Sequence, residues 1–146
     1  MKLGIIGLPQ TGKTTLYNAL TGHDQPTTAS AGRMEVHTAV VDVPDPRVDT
    51  LSAMYNPEKT MYAKVTYADI AGLEGSGQGS ISGQLLNHIA QMDGLIHVVR
   101  CFEDESVAHV SGSVNPSRDI VAMNSELLLN DLIAVERKLE RLAEEK

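Results

Sequence analysis

Gly7-Leu8-Pro9-Gln10-Thr11-Gly12-Lys13-Thr14 has the form G-x-x-x-x-G-K-T and lies between an apolar run, Leu3 to Ile6, and a helix-like stretch, Thr14 to Leu20. A phosphate-binding loop needs these residue types. Consecutive backbone N–H groups must fold around a β-phosphate, and a Cβ at either glycine would crowd that path. Lys13 places a cation between β- and γ-phosphates, Thr14 offers a hydroxyl to Mg²⁺, and the following helix turns its positive end toward the anion. Pro9, Gln10, Thr11, Gly12, Lys13, Thr14 and Thr15 are therefore the candidate nucleotide-binding residues. A Gly-rich turn with no ligand is the plain alternative. The strand before the loop and the helix after it count against that.

Working outward, Leu3 to Ile6 is short and continuously apolar, as a central parallel strand is, and Gly12 to Leu20 predicts a helix stopped by Thr21-Gly22. His23 to Arg33 has no periodicity and reads as a ligand-ordered or mobile loop. Val36 to Val43 predicts a strand, Pro44-Asp45-Pro46 breaks it, and a short helix from Arg47 to Tyr55 stops at Asn56-Pro57. Met61 to Asp69 alternates as a strand with one better-buried face. A Gly- and Ser-rich loop follows, then a helix from about Ser82 to Met92 and a buried strand from Leu95 to Phe102. Asn115 as cap and Pro116 at the first helical position start the last helix. In it Leu128, Leu132, Val135, Leu139 and Leu142 follow a heptad seam, which needs a partner helix. The half from Ile120 to Leu129 is expected to cover the sheet, and the charged half beyond Leu132 to begin a coiled coil.

Asp69-Ile70-Ala71-Gly72 carries the second chemical signal. A D-x-x-G tetrapeptide alone is weak, but this one ends a strand after a phosphate loop and opens a flexible segment. Asp69 can then hold a Mg²⁺ water, making Thr14 and Asp69 the candidate metal residues. The N–H of Gly72 can sense a γ-phosphate and order the loop Leu73 to Gly83.

Composition bounds the rest. The chain has 146 residues, of which 42% are hydrophobic, enough for one compact domain with a real core. A net charge of −7 argues against broad attraction to nucleic acid or anionic membrane, and 3% aromatics with no Trp argue against a base-stacking platform. Direct sequence-specific DNA binding is not expected. No apolar run approaches membrane-spanning length, no leader is legible, and a cytoplasmic, soluble protein is expected. Cys101, the single cysteine, is expected to be a buried small hydrophobe in a reducing compartment.

Several segments together resemble one family. They are Gly4-Ile5-Ile6-Gly7-Leu8-Pro9, Val43-Pro44-Asp45-Pro46-Arg47, Asp69-Ile70-Ala71-Gly72-Leu73, His97-Val98-Val99-Arg100-Cys101-Phe102-Glu103-Asp104 and His109-Val110-Ser111-Gly112. They look like the YchF, or Obg-like ATPase, subfamily of the Obg family of translation-factor-related P-loop NTPases, and the likeness runs nearly end to end. The resemblance implies an α/β fold, a doubly wound P-loop G domain. It implies Mg²⁺-dependent hydrolysis of ATP or GTP, a coiled-coil insertion, a C-terminal ubiquitin-like domain and association with the ribosome. On this pattern residues 1–116 are the first part of the G domain and 117–146 the helix leading into the insertion. The base-reading segment and the C-terminal domain are expected beyond this chain.

The chain departs from the family at particular places. Family proteins usually show Asn and Val at the positions of Gln10 and Thr11, and that Asn can serve a monovalent cation in relatives. The first switch usually carries a Thr, where Arg33 is the nearest match here, leaving Thr27, Thr28 and Ser30 as other candidates for Mg²⁺. In many GTPases a Gln after D-x-x-G positions the attacking water, but Leu73 stands there and has no polar group. His109 matches the loop histidine that the resemblance proposes for this task, as candidate catalytic residue. A solvated loop histidine is the alternative. His97, in an apolar strand, reads as a satisfied core residue, Asp45 as shaping a turn, and Glu103-Asp104-Glu105 as surface charge. A slow NTPase and a non-catalytic phosphate-binding module that presents its surface to the ribosome or another chain are the two functional expectations.

Overall fold

Ile5 and Ile6 are neighbours on one strand and both are fully buried. Successive side chains leave a strand on opposite sides, so this sheet is covered on both faces. The computed structural model describes residues 1–27, 36–70 and 83–145. Along them run β1 (Lys2–Ile6), α1 (Lys13–Thr21), β2 (Val36–Asp42), α2 (Pro46–Tyr55), β3 (Lys64–Ile70), α3 (Gly83–Ile89), β4 (Gly94–His97) and α4 (Pro116–Glu144). The strand order is β2-β3-β1-β4. β1 pairs in parallel with β3 (Ile5 opposite Asp69) and with β4 (Ile6 opposite His97), while β2 runs antiparallel to β3.

Each face of the sheet has its own core. Ile5 and Ala39 meet Tyr17 of α1, with Leu16, Leu20, Tyr67 and Ile96 around them. Ile6, Ala68 and Ile70 point the other way and meet Leu85 of α3 and Met123 of α4. This is the α/β layering that the alternation of strand and helix calls for.

The helix ends follow local chemistry. Gly22 closes α1 in the left-handed conformation. Asp45, expected to shape a turn, caps α2 by accepting the Arg47 backbone N–H, and Asn56 ends that helix left-handed. Asn115 accepts the Arg118 N–H and Pro116 takes the first position of α4.

Two strands are shorter than the runs that predict them. β3 begins at Lys64, not Met61, because its partner β2 runs into Val43 and then the prolines. The last rung there is Val43 N–H to Ala63 carbonyl at 2.8 Å. β4 stops at His97, not Phe102, because β1 ends at Ile6 and turns into the phosphate loop. Val98 N–H to Ile6 carbonyl, at 2.8 Å, is the final bond between them. Beyond that point Cys101 is exposed, contrary to the expectation of a buried hydrophobe.

After β4 the chain is organised by Arg100. Its side chain is buried, stacks over the Phe102 ring at 4.8 Å, and donates to the carbonyls of Phe102 (3.1 Å) and Val107 (2.9 Å). A guanidinium fork suits this work, since it satisfies several loop carbonyls at once.

α4 is anchored through Asp119, Met123 and Leu127. Its seam is not. Leu128, Leu132, Val135, Leu139 and Leu142 are between 44% and 70% exposed, so the seam is uncovered from its first residue onward. No helix among the described residues is long and apolar enough to cross a membrane.

Candidate functional site

The phosphate loop occupies the turn between β1 and α1. Gly7 opens it with φ +153, and a Cβ there would sit 2.3 Å from the Val98 carbonyl oxygen, so this glycine is required by close approach. Gly12 closes it with φ +95 and open space around it, so there the requirement is conformational. Gln10, exposed, also lies in the left-handed region with φ +57. A residue with a Cβ pays about 1–2 kcal/mol for that conformation, and such strain collects where a backbone is shaped for a ligand.

The loop is held by its own side chains. Thr11 Oγ1, buried, donates to the Leu8 carbonyl at 3.0 Å, and the Lys13 ammonium donates to the same carbonyl at 2.8 Å. Pro9 is half-buried, and Thr15 points to solvent from the first turn of α1. Gly12, as N-cap, gives α1 no side-chain cap. No side-chain cap competes at this helix start, the ordinary setting for anion binding.

Asp69 comes to this loop from the end of β3. Because β3 runs parallel to β1, with Asp69 opposite Ile5, the carboxylate arrives beside the start of α1. Thr14 Oγ1 donates to Asp69 Oδ2 at 2.7 Å. Asp69 is 1% exposed, and its Oδ1 has no hydrogen-bond partner among the described residues. A buried carboxylate oxygen without a partner is unusual in a protein interior. Burial, and then the Asp69 charge, push the phenol of Tyr17 above its ordinary value. A hydroxyl and a carboxyl group with spare acceptor capacity are hard oxygen donors, and they fit Mg²⁺. Among the described residues no group of three or more His, Cys, Asp or Glu forms a metal cluster of its own. Gly72 and most of the loop Leu73 to Gly83 lie outside the described residues, as do Thr28, Ser30 and Arg33.

His109 is engaged elsewhere. Its Nδ1 accepts the Ser111 backbone N–H at 3.0 Å, so the ring proton is on Nε2, which faces Asp119 Oδ2 at 3.0 Å. The side chains of His109 and Asp119 are 6% and 4% exposed. His109 is thus not a solvated loop histidine. Arg118 donates to Asp119 Oδ1 at 2.9 Å and to the Ser113 carbonyl at 2.7 Å, fastening the same segment to α4. His97 is half-buried, and burial holds its imidazole below the usual value, with the Asp119 charge opposing.

The structure therefore brings Thr14, Asp69 and the loop Leu8 to Lys13 together, and sets His109 in a separate contact with α4. Sequence reading passed over Asp119 and Arg118, and gave Arg100 no role beyond its place in the family resemblance. An acid in the first turn of an amphipathic helix reads as ordinary dipole complementarity, and no spacing ties it to a histidine ten residues earlier.

Comparison with known proteins gives the following. A family model described as 50S ribosome-binding GTPase matches residues 2–138. Two curated proteins named ribosome-binding ATPase YchF are similar. That of Shigella flexneri is 42% identical over 144 residues, covering 97% of this chain and 40% of that protein. That of Bacillus subtilis (strain 168) is 40% identical over 146 residues, covering 96% and 39%. Among solved structures, the YchF GTPase of Schizosaccharomyces pombe matches with a TM-score of 0.75 and 35% identity, over 99% of this chain and 39% of that one. The chain spans about 40% of the length of the curated relatives it matches.

Proposed function

The chain belongs to the 50S ribosome-binding GTPase family, and on that premise we propose that it is the phosphate-holding part of a translation-related nucleotide switch that binds ATP or GTP and hydrolyses it slowly. The observation that carries this reading is the Thr14–Asp69 contact, 2.7 Å long, with a buried Asp69 Oδ1 beside it that has no partner among the described residues.

In this reading the backbone N–H groups of Gln10 to Thr15 receive the phosphates, with Pro9 shaping the entry to the loop. Lys13 adds charge, and the first turn of α1 adds its dipole. Thr14 and Asp69 would hold Mg²⁺, which when bound would supply positive charge against that developing on the phosphates. Gly72 senses the γ-phosphate. Leu73 stands where many GTPases carry the water-positioning Gln, so another group must orient water, and His109 is that group. The ribosome as partner, a partner helix for the α4 seam and a cytoplasmic location complete the proposal. The names of the YchF relatives and the exposed seam support them.

Calorimetric titration with ATP, GTP and ADP in Mg²⁺, together with steady-state turnover, tests it on the full-length protein. Lys13→Ala is expected to abolish nucleotide binding, and His109→Ala to abolish turnover while sparing binding. Equal turnover in His109→Ala and the unaltered protein removes His109 from the mechanism. Unchanged binding in Lys13→Ala removes the phosphate loop.

A further inference from the structure

A neutral imidazole has one donor and one acceptor. In His109 both are engaged: Nε2–H faces Asp119 Oδ2 at 3.0 Å, and Nδ1 takes the Ser111 N–H at 3.0 Å. With the two side chains 6% and 4% exposed, no ring atom is left to orient or deprotonate water. The carboxylate is pinned in turn. Arg118 Nε donates to Asp119 Oδ1 at 2.9 Å, while its Nη2 and Nη1 reach back to the Ser113 carbonyl (2.7 Å) and hydroxyl (3.2 Å). Asn115 accepts the Arg118 backbone N–H and so holds that turn of α4 in place. His109, Ser111 and Ser113 belong to the segment before the helix, whereas Arg118 and Asp119 belong to the helix itself. The result is a clasp between the two.

We propose that Asp119 is a positioning residue that holds His109 in a resting place with its proton fixed on Nε2, and that nucleotide hydrolysis requires the His109–Asp119 contact to open. This rests on the reading of His109 as the group that acts on water. Asp119 is built into a 29-residue helix, so movement of its first turn carries the carboxylate away from the ring. The hydrolytic rate is thereby tied to the position of α4.

The test compares four forms of the full-length protein: unaltered, His109→Ala, Asp119→Asn and the double variant. Mg²⁺-ATP turnover and the ¹⁵N spectrum of the His109 ring are measured, with circular dichroism to check folding. Asp119→Asn is expected to raise kcat about tenfold, the factor a charge-assisted hydrogen bond is worth at its lower limit. KM should stay unchanged, the ring should pass from a fixed Nε2–H form to a mixture, and the double variant should be as inactive as His109→Ala. If His109→Ala abolishes turnover but Asp119→Asn leaves kcat unchanged or lowers it, the holding role is wrong. If His109→Ala leaves turnover intact, the reading beneath it fails whatever Asp119→Asn does. Should Asp119→Asn not fold, the unaltered protein without nucleotide decides. A ring fixed as Nε2–H supports the clasp, and one exchanging between tautomers overturns it.

Discussion

Thr14 Oγ1 donates to Asp69 Oδ2 at 2.7 Å across 55 positions of sequence, joining the first turn of α1 to the last turnward end of β3. The bond makes the phosphate loop and the strand-end acid one site, and among the described residues Asp69 Oδ1 has no partner. Asp69→Asn keeps the size and removes the charge. It is expected to weaken Mg²⁺-nucleotide binding about 10–100-fold and to change affinity little in EDTA. Calorimetric titration in the two conditions separates these outcomes, and an equal loss in both assigns Asp69 to packing instead.

The two loop glycines should fail differently. In Gly7→Ala the new methyl meets the Val98 carbonyl oxygen at 2.3 Å, a backbone atom next to the last rung between β1 and β4. The expected loss is about 3 kcal/mol or more, the upper end of overpacking costs. Gly12→Ala meets nothing within 4 Å and bears only its φ of +95, a cost of about 1–2 kcal/mol. Urea unfolding of both variants measures the difference.

His97 predicts an acid-sensitive stability. Burial lowers its folded value below 6.5, the Asp119 charge only partly opposing. Below pH 6.5 the unfolded chain therefore binds a proton that the folded chain refuses. Stability rises with pH wherever the unfolded state binds more protons, so this contribution is fully present above that pH and is lost as pH falls toward the folded value. His97→Gln should flatten the dependence of Tm on pH just below 6.5. Parallel curves for the two proteins contradict it.

The two halves of α4 should differ in the same way. Met123 is buried against Ile6, Ala68, Ile70 and Leu85, so Met123→Ala is expected to cost about 2–5 kcal/mol. Leu139 is 61% exposed, so Leu139→Ala should stay within about 0.5 kcal/mol. Denaturant midpoints of this chain and its two variants check both numbers.

The phosphate loop was legible because its chemistry is local. Its eight residues, the strand before them and the helix after them are contiguous, and no distant contact is needed to recognise what the glycines and Lys13 are for. The start of α4, with Asn115 as cap and Pro116 at its first position, was legible for the same reason, whereas Asp45 read only as a turn residue and proves to cap α2. Strand ends were not. Leu95 to Phe102 is mostly apolar, yet only Gly94–His97 finds a partner, because β1 has by then turned away. Cys101 is exposed as a consequence, which an apolar run alone gave no means of foreseeing.

What the sequence by itself determined was the order of elements, the phosphate-binding chemistry and the family, since these rest on residue type and short spacing. The tertiary structure decided where Asp69, Arg100 and His109 do their work. Asp69 reaches Thr14 only because β3 lies parallel to β1, Arg100 turns inward only because its strand has ended, and His109 is closed off only because α4 returns an acid to it. The Arg100 contacts stay within its own loop, whereas those of Asp69 and His109 join segments that no periodicity relates, at distances set by how the sheet and helices pack.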